Sequence, residues 1–519
     1  MKTPPISTPE APPDDQRRST ARSGGAARAP SRPLFLPLCL LLVACAGKAP
    51  DSGDSPIDTE DSAQDSDSGV LPADVYTFVG APSDAAGNAV TLPGDLDGDT
   101  VPDVVIAGYY GNRVCMFSGA TLLTGDARRT MDDAELCWSG ASTYDFSGYS
   151  LAPAGDGDGD GRQDLLVGAI GDGTNGSNAG RVWLLSGASG SGEVQLSQAA
   201  SGSAIGELGS DYAGVAACGG RDLTGDGVLD YLVGASGSDA AGAGGGSAYL
   251  VEGPLVGEVQ LAEARSVFLG LPVDATALLH GEFGGGDAIG NAVAMLGDYD
   301  GDGLDDLALG ASGADENGTA TGKVVVYWGP IAAGDHEITD ADLTLVGPDE
   351  YAYTGSPIHA PGDVDGDGFA DLLVSADGYE NGTIFLVHGA LGSGSNEVRA
   401  LDDEPTRWFG EVSDDQAGFA LASGDMNGDS VLDLAAGAPG SDRPGQDAGA
   451  AYVIYGPWSA GSHALADAGE ILLAEQVADA FAHALASGSD IDGDGIDELL
   501  VGAIYNDDGG AFSGKGYLY

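Results

Sequence analysis

The chain has 519 residues, 87 of them glycine, and only 7% aromatics; so much backbone freedom excludes a large helical core and favours a repeated, turn-rich β architecture. Lysine and arginine number 19 against 81 acidic residues, for a net charge of −62. That sign repels nucleic acid and anionic lipid headgroups and leaves cations as the natural small partners.

The first 44 residues read as a targeting segment rather than as part of a fold. Five arginines and Lys2 precede an apolar run from Leu34 to Ala46, too short to span a bilayer as a helix but suited to a signal-peptide core. The run ends in Leu42-Val43-Ala44-Cys45, which resembles the lipobox of bacterial lipoproteins. The resemblance implies an exported protein whose acylated Cys45 becomes its N-terminus at the outer membrane or cell surface. An ordinary secretory signal with an incidental cysteine is the plainer alternative. Residues 45–69 follow with seven acids, serine and proline throughout and almost nothing to bury, a composition that predicts a disordered, self-repelling tether.

From residue 70 to 519 one element recurs seven times. The copies are DLDGDTVPD from Asp95, DGDGDGRQD from Asp156, DLTGDGVLD from Asp222, DYDGDGLDD from Asp298, DVDGDGFAD from Asp363, DMNGDSVLD from Asp425 and DIDGDGIDE from Asp490. Their starts are 61 to 76 residues apart, room for four strands and generous loops in each unit. A glycine stands seven or eight residues ahead of most copies, as in FSGYSLAPAGD and AIGNAVAMLGD. An apolar run such as VVIAG, LLVGA or LALGA follows each copy, and after a variable Gly- and Asp-rich loop comes a β-branched and aromatic run such as RVCMF, KVVVYW or TIFLV. Runs of four to six such residues bounded by glycine predict strands.

These repeats resemble the FG-GAP repeats of integrin alpha-chain propellers and their bacterial relatives. The resemblance implies an all-β, seven-bladed β-propeller of four-stranded antiparallel blades. Phe481-Ala482 departs from the family's Phe-Gly, and only the sixth copy ends as a full Gly437-Ala438-Pro439. ADVYTFVG at 73–80 matches the fourth-strand segment ADLTLVG at 341–347, so the N-terminal strand is expected to close the last blade.

Within each copy, acids at positions 1, 3, 5 and 9 and a backbone carbonyl at position 7 form an oxygen shell of the kind calcium takes, with glycines at 4 and 6 letting the backbone wrap the ion. The first loop would use Asp95, Asp97, Asp99, Asp103 and the carbonyl of Val101, and the second Asp156, Asp158, Asp160, Asp164 and Arg162. In the third, Thr224 stands with Asp222, Asp226, Asp230 and Val228; in the fourth, Asp298, Asp300, Asp302 and Asp306 accompany Leu304. The fifth has Asp363, Asp365, Asp367, Asp371 and Phe369, the sixth Asp425, Asn427, Asp429, Asp433 and Val431, and the seventh Asp490, Asp492, Asp494, Glu498 and Ile496. Thr100 and Ser430 hold position 6 in loops one and six, where strain is expected. An EF-hand is excluded because position 12 is apolar, as at Ile106 and Val167, inside a strand. The bland alternative is an Asp-Gly turn with no ion, which seven copies of one four-ligand grammar disfavour. Up to seven calcium ions are expected.

Cys115 and Cys137 fall in runs that should be neighbouring strands of the first blade, where a disulfide can form in an oxidising compartment. Cys218 reads as a small buried residue, and the six histidines, scattered one at a time, read as surface or core residues rather than ligands.

The repeats leave no segment for a catalytic domain, and no nucleophile elbow, Cys/His pair or phosphate loop is present. The chain is therefore expected to be a surface or periplasmic binding and adhesion module for a protein or glycan partner, and not an enzyme. A calcium-dependent polysaccharide-active enzyme and a self-assembling scaffold stay open as alternatives. Antiparallel alternation puts the acidic 1-to-2 loops on one face and the variable 2-to-3 loops on the other. Tyr109, Tyr110, Tyr379 and Tyr505 on the variable loops are candidate ligand anchors, or equally a cover over the central channel.

Overall fold

The computed structural model describes residues 75–188, 190–272, 286–390, 396–412 and 414–519. The signal segment 1–44, Cys45 and the tether 45–69 lie outside the described residues.

The seven repeats fold as seven antiparallel blades of a β-propeller. In blade one the strands are Ala86–Gly94, Asp103–Gly108, Arg113–Phe117 and Leu136–Ser139, paired in that order. The second strand of each blade carries the apolar run that follows the acidic loop, and in all seven it is buried along its whole length. Continuous burial on both sides is what a middle strand of a stacked sheet experiences, which is why these runs are uniformly apolar rather than alternating. Seven apolar clusters lie between neighbouring blades; Val104, Ile106 and Phe117 of blade one, for instance, pack on Leu500 and Leu518 of blade seven. Among the described residues no helix is long and apolar enough to cross a membrane.

Blade seven is assembled from both ends of the folded region. Phe481–Ala486, Leu500–Ala503 and Lys515–Leu518 supply three strands and Tyr76–Val79 the fourth, running antiparallel with Tyr76 opposite Leu518 and Val79 opposite Lys515. The expectation that the 73–80 segment closes the ring therefore holds.

The blades depart from the expected four strands in one respect. Among the described residues, six carry a fifth, short strand in parallel on their outer edge, donated by the next blade in the ring: Arg128–Thr130 lies on Tyr76–Val79 and Gly192–Gln195 on Leu136–Ser139, and the pattern continues. Stretches of three or four mostly polar residues have no periodicity from which to read a strand; pairing with an otherwise bare edge creates them.

The glycine ahead of each acidic loop adopts a left-handed backbone, with φ of 87° at Gly148 and 88° at Gly214. At Gly148 a methyl group would also come within 2.6 Å of the Ala107 side chain. Gly148→Ala is expected to cost about 2 kcal/mol, the left-handed penalty plus the displacement of a packed strand, seen as a lower denaturant midpoint; an unchanged midpoint would refute the steric reading. The seventh repeat is the exception: Ala482 takes φ 65° while fully buried.

Candidate functional site

The acidic loops share one hydrogen-bonding scheme. The N–H of position 6 donates to the first aspartate in all seven, at 2.7 to 3.0 Å. The N–H of position 7, that of Val101, Arg162, Val228, Leu304, Phe369, Val431 or Ile496, donates to the acid at position 5. The backbone thus curls around its own carboxylates, and each keeps lone pairs unused. In at least four loops the acids at positions 1, 3 and 5 offer oxygens within 4.8 Å of one another: Asp95, Asp97 and Asp99; Asp156, Asp158 and Asp160; Asp298, Asp300 and Asp302; Asp363, Asp365 and Asp367. Thr224 instead donates to Asp222 at 3.4 Å, and Asn427 accepts from the N–H of Asp429 at 2.9 Å. Thr100 and Ser430 do sit in the left-handed region, with φ of 78° and 65°, where a side chain costs about 1 kcal/mol.

Position 9 opens the second strand in six repeats, and in the seventh Glu498 lies two residues ahead of it. Asp103 accepts from the N–H groups of Leu96 and Gly119, and Asp306 from those of Tyr299 and Gly329. Burial pushes Asp103, Asp306 and Glu498 up to about 7 and Asp164 up to about 6, and nearby loop acids add to the rise. Asp230 and Asp433 are raised for the same reason. Carboxylates gathered at a buried base and raised by burial form an all-oxygen donor set that suits a hard divalent cation, which would hold them ionised.

Two residues on these loops escaped the sequence reading. His388 places Nδ1 3.1 Å from Asp371 and 3.4 Å from Asp365, so it is not the plain surface or core histidine expected; the hydrogen bond to Asp371 raises its pKa above the ordinary value. Ser118 donates to Asp99 at 3.1 Å. Each immediately precedes the glycine whose N–H holds the position-9 acid, Gly389 and Gly119 respectively, and that place at the end of the third strand was the available signal.

The opposite face carries the variable loops. Tyr109 and Tyr110 stack at 4.1 Å, and Phe146 lies 6.1 Å from Tyr109. Tyr505 of blade seven is their neighbour: its hydroxyl is raised chiefly by burial and further by Tyr110. Tyr505 also packs edge-on against Phe512 at 5.9 Å. Tyr110, Tyr505 and Phe512 are 52%, 39% and 59% exposed, an aromatic patch across blades seven and one. Tyr379 does not join it. It packs on the core between blades four and five, with its hydroxyl 3.4 Å from Asp402. Cys115 and Cys137 face each other across the third and fourth strands of blade one and are joined by a disulfide, while Cys218 is free and burial pushes its thiol up to about 12.

The FG-GAP repeat family matches residues 147–185, 290–327, 360–387, 417–454 and 481–519. The copies at Asp95 and Asp222 fall outside these stretches yet share the loop geometry. Integrin alpha-PS2 of Drosophila melanogaster is 31% identical over 231 residues, covering 41% of this chain and 15% of that protein. Integrin alpha-5 of Xenopus laevis is 31% identical over 159 residues, covering 28% and 14%. A phosphatidylinositol-glycan-specific phospholipase D of Bos taurus is 30% identical over 220 residues, covering 41% and 25%. The chain therefore spans a quarter or less of each of these relatives' length. Five stretches of the chain thus match FG-GAP repeats, set within a seven-bladed β-propeller and similar in sequence to integrin alpha chains.

Proposed function

We propose that this protein is a calcium-loaded adhesion module, tethered to a membrane through lipid on Cys45, which recognises a protein or glycan partner with the face opposite its acidic loops. The observation that carries the reading is the exposed patch of Tyr110, Tyr505 and Phe512 on loops held by a rigid ring. Aromatics so placed offer large contact areas at low entropic cost. The acidic loops face the other way and serve stability, with Asp95, Asp97, Asp99 and Asp103 and their six counterparts as ligands. The similarity to integrin alpha chains supports a partner-binding role, while the similarity to a phospholipase D covers only 25% of that enzyme.

A glycan array and a pull-down with the calcium-loaded ring test the reading. Once a partner is found, Tyr110→Ala and Tyr505→Ala are each expected to weaken binding at least tenfold, about 1.4 kcal/mol, with calcium-dependent melting unchanged. If substitutions on the acidic-loop face alone abolished binding while the ring stayed folded, the assignment of faces would be wrong. Mass spectrometry showing a mature N-terminus without lipid would remove the anchoring half.

A further inference from the structure

Loop five differs from its counterparts in what stands at the end of the third strand beside it. The residue ahead of the glycine whose N–H holds the position-9 acid is Ser118, Ser186, Glu252, Trp328 and Tyr455 in blades one, two, three, four and six, and His388 in blade five. Only there, among the described residues, does a third strand bring a nitrogen ligand to the loop acids. Its Nδ1 lies 3.1 Å from Oδ1 of Asp371 and 3.4 Å from Oδ2 of Asp365. Asp365, Asp371 and His388 each offer one donor atom, all within 4.8 Å of one another. Neighbouring donors around one ion with bonds of about 2.1 Å stand about 3.0 to 3.4 Å apart, and the two separations from the imidazole are of that size.

The surroundings hold these donors in place and give them an open side. The buried Asp371 accepts the N–H groups of Val364 and Gly389 at 2.8 and 3.1 Å. The N–H of Asp367 engages Oδ1 of Asp365 at 3.1 Å and leaves Oδ2 to face the imidazole, while the Tyr299 hydroxyl ties down the His388 carbonyl at 3.0 Å. Such outer hydrogen bonds are what orient metal ligands. Asp365 and His388 border a cavity of about 130 Å³ whose other walls are the apolar Val364, Leu386, Pro457 and Trp458, so the donor set meets water there and no competing side-chain ligand. Calcium takes oxygen ligands, whereas imidazole suits zinc and its first-row neighbours. We propose that blade five holds a transition-metal ion of the zinc class on Asp365, Asp371 and His388, in preference to calcium, with a coordination position open to the cavity. The proposal rests on the reading of the acidic loops as cation sites and makes loop five the exception among them, because an ion placed there takes two of the acids that calcium needs.

Cobalt(II), whose visible absorption reports nitrogen ligation, is the probe, added to the full chain in excess calcium. One equivalent is expected to bind with a visible band, and zinc should displace it. His388→Gln and Asp365→Asn should each weaken that binding at least tenfold, whereas His463→Gln, which alters a histidine bonded to the Ser459 carbonyl, should leave it unchanged. As a second readout that needs no variant, X-ray absorption at the zinc edge of the zinc-loaded chain should show imidazole scattering. Cobalt spread evenly over many loops, cobalt displaced by the calcium, binding indifferent to His388→Gln, or a zinc shell without imidazole would each overturn the proposal. The calcium reading is judged apart from it, by melting with and without chelator. A His388-dependent band on a ring whose melting ignores chelator keeps this site and removes that reading; a chelator-sensitive ring whose cobalt ignores His388 does the reverse.

Discussion

Excess chelator is expected to lower the melting temperature of the ring by about 10 °C. A site held at tenfold its dissociation constant adds about 1.4 kcal/mol of stability, so the seven proposed sites together would supply about 10 kcal/mol, comparable to a whole domain's margin. Unfolding entropy of about 2.1 cal/mol/K per residue over roughly 450 residues converts each kcal/mol into about 1 °C. The pH dependence should differ between the two states. Burial raises Asp103, Asp306 and Glu498 to about 7 from ordinary carboxylate values near 4, so the ion-free ring holds more protons than the unfolded chain between those limits. Its stability must fall as pH rises from about 4 to about 7. Calcium bound as proposed would displace those protons, so its stabilisation should grow over the same range. Melting curves with and without chelator at pH 5.5 and 7.5 check both; curves that coincide at the higher pH would sink the calcium assignment.

Removing residues 75–79 is expected to abolish the monomeric ring. The deletion takes away the ladder from Tyr76–Leu518 to Val79–Lys515 and exposes the edge of Lys515–Leu518. It also removes the strand that Arg128–Thr130 lies on. Phe78 is fully buried with its ring tilted against that of Phe117 of blade one, centroids 4.6 Å apart, so Phe78→Ala alone should cost about 3 to 5 kcal/mol. Three apolar-lined strands with a free edge invite pairing between chains. Sedimentation should show aggregates for the deletion and a folded, less stable monomer for Phe78→Ala; a deletion variant that stays monomeric with the parent's melting temperature would refute closure by this strand.

Much of this architecture was legible because it repeats. Positive φ at position 6 and acids at 1, 3, 5 and 9 are local demands, so the seven loops could be placed before any packing was known. Closure of blade seven was readable for the same reason: 73–80 matches an internal strand that already had a place. What escaped depends on neighbours. The fifth strands exist only against an adjacent blade's edge, and His388 becomes a partner of Asp371 only because the third strand delivers it there. Tyr379 lies on the same kind of variable loop as Tyr109 and Tyr505 but one or two residues further along it, and blade five turns it onto the core rather than toward an aromatic neighbour. The cations are a similar case. Arg181, Lys323 and Lys515 each open a third strand, lie nearly buried, and pair with Asp172, Asp287 and Glu475 respectively, an arrangement that sequence spacing does not disclose.

The direction of the closing strand also fixes how the ring can be held. Tyr76 lies opposite Leu518, at the end of the third strand from which the acidic loops project, and Val79 lies opposite Lys515, at the end that carries the variable loops. Whatever grips the residues ahead of Val75 therefore grips the ring from its acidic side. A partner held on the aromatic loops and anything holding Tyr76 would therefore pull on the ring from opposite faces.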